Sequence, residues 1–400
     1  MAEAKLIKPD LEFVKKVIDS GGESLKKCYQ CATCSVVCNV TPEDKPFPRK
    51  EMIQAQWGLK DKLFANPDIW LCHQCSDCTA YCPRGAKPGE VLGAIRKLSI
   101  EHYAFPGFMG KLVGDPKYLW VLFAVPVIIF LTVLGYLGHI KIPDGEIIYA
   151  EKFIPVLAID TIFIAAALFA VLGFLGGVVR YWKDLSSGVS VSSNPWQKKV
   201  KGPIPIIILN TIIDFMTHQR FKKCEVTKDR SNSHMFVFFG FVGLAITTTW
   251  AIGYLYGFEF FNIQKAIQLS GGNFLLNFGE SPYPLYDPMK ILGNISAVIL
   301  LAGILQVITN RKKNAEKAGN GSYFDWLFIS IIFTVVTTGI LSEVLRLAHI
   351  PVLAYPVYFI HLVVVFFLFA YAPFSKMAHM VYRTTALVFA KYSGREDKKF

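Results

Sequence analysis

Cysteine spacing is the feature that most constrains this 400-residue chain. Eight of its nine cysteines lie in two runs, Cys28-x2-Cys31-x2-Cys34-x3-Cys38 and Cys72-x2-Cys75-x2-Cys78-x3-Cys82. Four thiolates at this spacing, given twice, are typical of two [4Fe–4S] clusters, because three close cysteines wrap one cluster and the fourth reaches the other. The predicted ligand sets are therefore Cys28, Cys31, Cys34 and Cys82, and Cys72, Cys75, Cys78 and Cys38.

Two other interpretations of the cysteines are less favoured. A zinc site needs two Cys-x2-Cys pairs or their histidine variants, and it has no use for a third and fourth cysteine in each run. Disulfides belong to oxidising compartments, and we expect no signal peptide before the first run. The doubled spacing therefore favours clusters in a reducing compartment.

Hydropathy indicates a membrane protein. Hydrophobic residues make up 53% of the chain, and they concentrate after about residue 118 in stretches of bilayer-spanning length. The formal charge of +12 then reflects Lys and Arg held on the cytoplasmic side of a membrane, not nucleic-acid binding. We predict six spans: 118–138, 153–182, 234–257, 288–309, 324–347 and 355–376.

The loop charges predict the topology. Lys and Arg concentrate in 183–233, 310–323 and the C-terminal tail, whereas 139–152, 258–287 and 348–354 hold few. The positive-inside rule then puts both termini and the cysteine runs in the cytoplasm. Within the first basic loop, 203–221 is apolar with polar ends and is predicted to lie at the membrane interface.

The predicted fold class is all-α, because nothing near the cysteines alternates with strand period. We expect a helical two-cluster ferredoxin domain, followed by a six-helix transmembrane cytochrome b bundle. The predicted boundaries are 1–106 for the first domain, 107–117 for a linker and 118–400 for the second.

Two histidines at the last span are placed where haem ligands are needed. Ionisable side chains inside a span are costly and favour a functional role. His361 lies about two turns inside the span and His379 just past its other end, 18 residues later, or about 27 Å along one helix. Five turns keep both on one side, so we predict a single helix with one ligand for each of two b haems. His234 lies level with His379 by topology, and we predict that these two share the cytoplasmic-side haem.

The outer haem needs a second histidine, and the sequence leaves two choices. Only His139, after the first span, and His349, before the last, lie on that side by topology. We favour His139, because His349 lies in a short loop bounded by proline. An interfacial position without a ligand is the ordinary alternative for these histidines. The remaining candidates are interpreted as interfacial, surface or supporting residues and a plain thiol: His218, His73, His102 and Cys224.

At these residues the chain resembles known families. The soluble part resembles the small iron–sulfur subunit of heterodisulfide reductase, in both cysteine runs and in Phe47-Pro48-Arg49 and Ile69-Trp70-Leu71-Cys72. From about residue 170 the membrane part resembles the cytochrome b subunit of respiratory nitrate reductase and its heterodisulfide-reductase counterpart. This resemblance implies that His361 and His379 are haem ligands. The nitrate reductase cytochrome has a second histidine ten residues after the position of His234, where this chain has Leu244. The residues that carry this second resemblance are Ile360-His361-Leu362, Pro373-Phe374-Ser375 and His379.

The order of the two parts resembles the C subunit of the quinone-interacting membrane-bound oxidoreductases of sulfate-reducing prokaryotes. The resemblance implies an electron-transfer protein that takes electrons from menaquinol, passes them through two b haems and two clusters, and delivers them to cytoplasmic flavin or iron–sulfur subunits. Lys290 matches a lysine associated with quinone binding in the nitrate reductase cytochrome, and its alternative is an interfacial anchor.

No side chain is predicted to act as a catalytic acid, base or nucleophile. Two other functions stay open at this point. One is a membrane heterodisulfide reductase module, and the other is a membrane anchor or transporter with sensory clusters.

Overall fold

The computed structural model describes residues 8–42, 45–143, 145–191, 203–217, 230–258, 284–315 and 321–395. Within these ranges the chain forms helices, turns and loops but no strand, and the all-α prediction is confirmed. His218 and Cys224 lie outside the described residues. The helices before the membrane are α1 (Leu11–Val17), α2 (Thr33–Val36), α3 (Arg49–Gln56), α4 (Lys60–Phe64), α5 (Asp68–Leu71), α6 (Asp77–Ala80), α7 (Pro88–Tyr103) and α8 (Gly107–Gly114).

Helix α7 is the central helix of the N-terminal unit. It begins at Pro88, where the missing N–H costs nothing because first-turn N–H groups have no helical partner. Its apolar face is fully buried at Val91, Leu92 and Ile95 and contacts the short helices around the cysteines. The segment predicted as a linker is itself helical, since α8 covers 107–114 and a 3₁₀ turn at Pro116–Tyr118 leads into the membrane part.

In the part of the chain that the structure describes, six helices are long and apolar enough to cross a membrane, so the predicted number of spans is confirmed. These are α9, α11, α13, α14, α15 and α16. The helices after α8 are α9 (Leu119–Leu137), α10 (Tyr149–Lys152), α11 (Val156–Val191), α12 (Ile204–Met216), α13 (Arg230–Ile252), α14 (Pro288–Lys313), α15 (Tyr323–Leu347), α16 (Pro351–Ala370) and α17 (Ala378–Tyr392).

Small residues let α13 and α14 approach closely, as is usual where membrane helices pack. A Cβ atom on Gly243 would lie 2.0 Å from Ser296 Oγ, and one on Gly240 would lie 2.8 Å from Leu300 Cβ. The contact therefore requires glycine at both positions, and it fixes the helix that carries His234.

The prediction that one helix carries both His361 and His379 is wrong. Helix α16 ends at Ala370, a 3₁₀ turn follows at Ala372–Phe374, and α17 begins only at Ala378. Pro373 prevents α16 from continuing, because it has no N–H to donate to the carbonyl four residues earlier and its ring would clash with that carbonyl. His361 therefore lies on a membrane helix and His379 on the separate helix after it.

Helix α17 packs against the N-terminal unit instead of continuing the last span. Trp70, in α5, stacks on Tyr382 at a centroid distance of 5.6 Å, and Tyr103 lies 5.0 Å from Tyr181 of α11. All four residues are fully buried. Such aromatic pairs contribute about 0.5–1.5 kcal/mol each beyond their buried area, so they fasten the cysteine-bearing unit to the membrane part.

Candidate functional site

The first predicted cysteine set surrounds one cavity, whose lining includes Cys28, Cys31, Cys34 and Cys82. Burial, with the neighbouring thiolates, raises the pKa of Cys34 to about 11. Cys31 is exposed at the rim, and the Thr33 hydroxyl, 3.5 Å from its Sγ, lowers the pKa of this thiol. The structure therefore brings Cys82, from the second run, to three cysteines of the first.

The second predicted set lies deeper. Burial, then the charges of Cys72 and Cys75, raises the pKa of Cys38 to about 12. Cys78 is 9% exposed, and its pKa is raised well above the usual value by burial and by Cys72, Cys75 and Cys38. The structure thus groups the eight thiols into the same two sets as the spacing. Among the described residues, no three His, Cys, Asp or Glu side chains are close enough to hold a single metal ion.

Matching backbone turns shape both cysteine loops. Gln30 and Ala32 in the first run, and Gln74 and Ser76 in the second, have φ between 53° and 70°. These residues occupy equivalent places relative to Cys28 and Cys72. A left-handed conformation costs a non-glycine residue roughly 1–2 kcal/mol, and residues held this way concentrate at binding sites. The turns point successive cysteine side chains towards a common centre.

Arginines from distant parts of the chain hold the Cys72 loop. Arg383 of α17 donates to His73 Nε2 at 2.6 Å and to the Cys72 carbonyl at 3.4 Å. Arg96 of α7 donates to the carbonyls of Ile69 and Cys72 and to Gln74 Oε1, and Arg230 of α13 donates to the Gln74 carbonyl at 2.6 Å. Because arginine only donates, His73 accepts through Nε2 and is neutral.

The second cysteine set also packs directly on α17. Leu387 and Ala390 of this helix form a small apolar cluster with Val40, Phe47 and Leu71, and Cys38 and Cys72 pack against it. By contrast, every residue that lines the first cavity lies between 28 and 88. The second set is therefore the one in contact with the C-terminal part of the chain.

His379 and His234 lie in one region. His379 Nδ1 donates to the Lys376 carbonyl at 2.6 Å, which leaves Nε2 as the nitrogen that can ligate a metal. Burial, then the charge of Lys376, lowers the pKa of His379 to about 3, and His234 is among the charges that contribute. The ring is therefore neutral at physiological pH, the form that binds iron.

His361 is oriented in the same way on α16. Its Nδ1 lies 3.0 Å from Thr338 Oγ1, whose own proton goes to the Thr334 carbonyl, so the histidine donates. Gly339 makes room for the ring, since a Cβ there would lie 3.1 Å from His361 Cε1. Nε2 of His361 is again the nitrogen that can ligate a metal.

The two candidate partners of His361, His139 and His349, differ from each other. His139 is half-buried and donates Nδ1–H to the Phe153 carbonyl at 2.8 Å. His349 is exposed and has a left-handed backbone with φ of 54°. In the described part of the chain, no hydrogen bond or ring contact joins either residue to His361.

Lys290 belongs to a polar group between α14 and α15. Its Nζ lies 2.8 Å from Glu343 Oε2, and Asn294 donates to Glu343 Oε1 at 3.1 Å. Glu343 was not predicted from the sequence, although a carboxylate inside an apolar span is the signal that could have found it. Arg383 was not predicted either, since no local pattern indicates that α17 folds back onto the cysteine loops.

Comparison with known proteins identifies the N-terminal part. The profile of the 4Fe-4S dicluster domain family matches residues 24–86. The chain is 37% identical over 110 residues to the C subunit of the H(2):CoB-CoM heterodisulfide,ferredoxin reductase of Methanothermobacter marburgensis, a match that covers 26% of the chain and 57% of the relative. It is 37% identical over 103 residues to a heterodisulfide reductase C subunit-like protein of Archaeoglobus profundus, covering 26% and 53%. The chain thus spans about half the length of these relatives.

One relative is similar over nearly the whole chain. Citrate utilization protein B of Escherichia coli is 25% identical over 410 residues, which covers 96% of this chain and 93% of that protein. No solved structure matches.

The fold and the sites define a membrane electron-transfer module, an iron–sulfur unit joined to six apolar helices. The N-terminal part is an iron–sulfur domain similar to the C subunit of heterodisulfide reductase, with the 4Fe-4S dicluster motif. The predicted resemblance of the soluble part is therefore confirmed. The cytochrome b and quinone assignments stay predictions.

Proposed function

We propose that this chain is the membrane subunit of a quinone-interacting oxidoreductase complex, of the C type found in sulfate-reducing prokaryotes. It takes electrons from menaquinol near the outer face and passes them to flavin or iron–sulfur partner subunits in the cytoplasm. Both termini and the N-terminal unit lie on the cytoplasmic side of the membrane, with residues 1–106 as the ferredoxin domain and 118–400 as the cytochrome domain.

One observation carries this proposal: α17 connects the two kinds of site. His379, in its first turn, is oriented to ligate a metal, and Arg383, one turn later, contacts the Cys72 loop. A helix that ties a histidine site to a cysteine site suits electron transfer between them. A passive anchor has no need of such a connection.

The residues present fit the proposed cofactors. Two sets of four thiols would hold two [4Fe–4S] clusters, His234 and His379 one b haem, and His361 with His139 a second. When bound, these groups accept and give up single electrons. The protein's own part is ligation and orientation, through the Nδ1 acceptors of the histidines and the arginines on the Cys72 loop. Lys290, Asn294 and Glu343 are proposed to bind the quinone oxygens on the outer side.

The cofactor content of the anaerobically purified chain tests the proposal. We expect about eight iron atoms from clusters and about eight labile sulfides per chain, plus the absorption bands of low-spin haem b. Zinc in place of iron would overturn the cluster assignment. Clusters without haem b would instead favour an anchor, the non-catalytic alternative.

A heterodisulfide reductase module is the second candidate, favoured by the 37% identity of the cysteine-bearing unit. Both candidates contain clusters and haem, so cofactor content cannot separate them. Oxidation of a menaquinol analogue by the purified complex, assayed with and without a heterodisulfide, separates them directly.

A further inference from the structure

A narrow recess lies between the ends of α15 and α16 that face the N-terminal unit. Its walls are mostly apolar, among them Phe328, Ile331 and Phe367, and its polar end is formed by Ser375 and Lys376. A space with apolar walls and one cationic end suits an amphipathic anion. Lys376 lies three residues before His379 and accepts its Nδ1–H through the main-chain carbonyl.

Among the described residues, the cationic end holds more positive than negative charge. Arg311 Nη1 lies 3.3 Å from Asp325 Oδ2, and Lys376 contacts the other oxygen of the same carboxylate. Asp325 also accepts hydrogen bonds from the N–H and the hydroxyl of Ser322 at the start of α15, so this one carboxylate serves Ser322 as well as the two cations. One carboxylate therefore faces two cations, and Arg230 adds its charge nearby, at the start of the helix that carries His234.

The two cations are held away from water. Arg311 and Lys376 have side chains only 19% and 23% exposed, whereas the neighbouring Lys312 and Lys313 of α14 are exposed. Arg311 Nη1 is buried and makes no hydrogen bond in the described part of the chain. Partly buried cations in excess of their carboxylates are costly unless an anion joins them.

We propose that Arg311 and Lys376 bind the carboxylates of an amphipathic dianion, and that this dianion is the haem held by His234 and His379, through its two propionates. This inference rests on the proposed function. The other source of the same chemistry is the headgroup of an anionic phospholipid. The two sources differ in what should change when the cations are removed.

Arg311→Gln and Lys376→Gln in the full-length chain test the proposal, with Lys313→Gln as the control. All three changes remove one positive charge, and Lys313 lies at the same end of α14 but is exposed. The measurements are haem b per chain, bound phospholipid per chain, and the midpoint potential of the haem whose spectrum His379→Ala removes. Because a nearby cation favours the reduced haem, each test variant should lower its equilibrium constant for reduction about tenfold, which is about 59 mV for one electron. The control should leave it unchanged.

Charge-conserving variants separate electrostatics from folding. Arg311→Lys and Lys376→Arg should restore most of the potential. If a glutamine variant does not assemble, haem-free wild-type chain offered haem or its dimethyl ester gives the second test, because the ester lacks the carboxylates. Weaker retention of the ester supports the proposal.

Three results would overturn it. Equal retention of haem and ester is one. Unchanged haem content and potential, with loss of bound anionic phospholipid in the glutamine variants, assigns the site to a lipid headgroup. If neither the haem nor the bound phospholipid changes in the glutamine variants, the two cations form a structural ion pair only. Absence of haem b from the wild-type chain is a different result, since it removes the proposed function as well.

Discussion

Three histidines share one arrangement at the scale of single residues. His139, His361 and His379 each direct Nδ1 at an oxygen acceptor, namely Phe153 O, Thr338 Oγ1 and Lys376 O. An acceptor on the second nitrogen of a ligating histidine fixes the tautomer and the ring orientation, and its loss typically costs 10–100-fold in metal affinity or activity. Two of these acceptors are main-chain carbonyls that no substitution removes, so Thr338 is the one that can be tested.

Thr338→Val should weaken the binding of the haem that His361 is proposed to ligate. The change keeps the shape of the side chain but removes the hydroxyl acceptor and leaves the ring only the Val335 main chain, so we expect lower haem b content on that side and slower reduction of the haems by a menaquinol analogue. Thr337→Val is the matched control, because the Thr337 hydroxyl is buried without a hydrogen bond in the described structure. His361→Ala should abolish quinol oxidation and leave the clusters intact. Normal reduction in both Thr338→Val and His361→Ala would exclude an outer haem at His361.

Sequence patterns marked some of these residues and not others, for physical reasons. The eight cysteines are recognisable because cluster ligation imposes a local spacing. His361 stands out because an ionisable ring in an apolar span is rare. Arg383 and Thr338 act through contacts 310 and 23 residues away in the sequence, and nothing local marks such partners.

Helix α17 is the element that departs most from expectation, and its function follows from that departure. Hydropathy predicted a span to residue 376, but the break at Pro373 ends the membrane helix early and frees α17 to pack on the cysteine loops. Helix existence was predictable from apolar periodicity. The direction of the chain after a break depends on tertiary contacts that periodicity does not encode.

Arg383→Gln should lower the reduction potential of one cluster only. Its guanidinium contacts the Cys72 carbonyl and His73, so its charge favours the reduced, more negative state of the cluster held by Cys38, Cys72, Cys75 and Cys78. Arg84 lines the other cavity, and Arg84→Gln should lower the potential of the other cluster instead. Redox titration followed by electron paramagnetic resonance resolves the two signals, and Arg383→Lys should retain most of the wild-type potential. A shift in the reduction potentials of both clusters in either variant would contradict the assignment of Arg383 to one cluster and Arg84 to the other.

At the scale of the whole molecule, the two cysteine sets differ in which part of the chain they contact. The Cys72 set packs on α17, the helix that carries His379, whereas the cavity of the Cys28 set has no lining residue from α17, and Cys31 there is exposed. Tyr29, Val36 and Tyr81 are more than half exposed near this rim, and the cavity lining holds Arg49 and Arg84 but no carboxylate among the described residues. Under the proposed function, the Cys72 set would receive electrons from the membrane part and the Cys28 set would pass them to a partner.

Accessibility to an aqueous relaxing agent tests this order. A chelated dysprosium ion in solution speeds the electron-spin relaxation of paramagnetic centres near the surface, and its effect falls steeply with distance. In the purified chain it should affect the cluster of the Cys28 set strongly and that of the Cys72 set weakly, because the first set includes the exposed Cys31 whereas every cysteine of the second set is partly or fully buried. The Arg84→Gln and Arg383→Gln variants assign each signal to its set through the potential that shifts. Tyr81→Ala, which removes an exposed ring at the rim, should increase the effect on the first signal alone. Equal relaxation of both clusters, or a stronger effect on the one that Arg383 tunes, would reverse the proposed direction from membrane to partner.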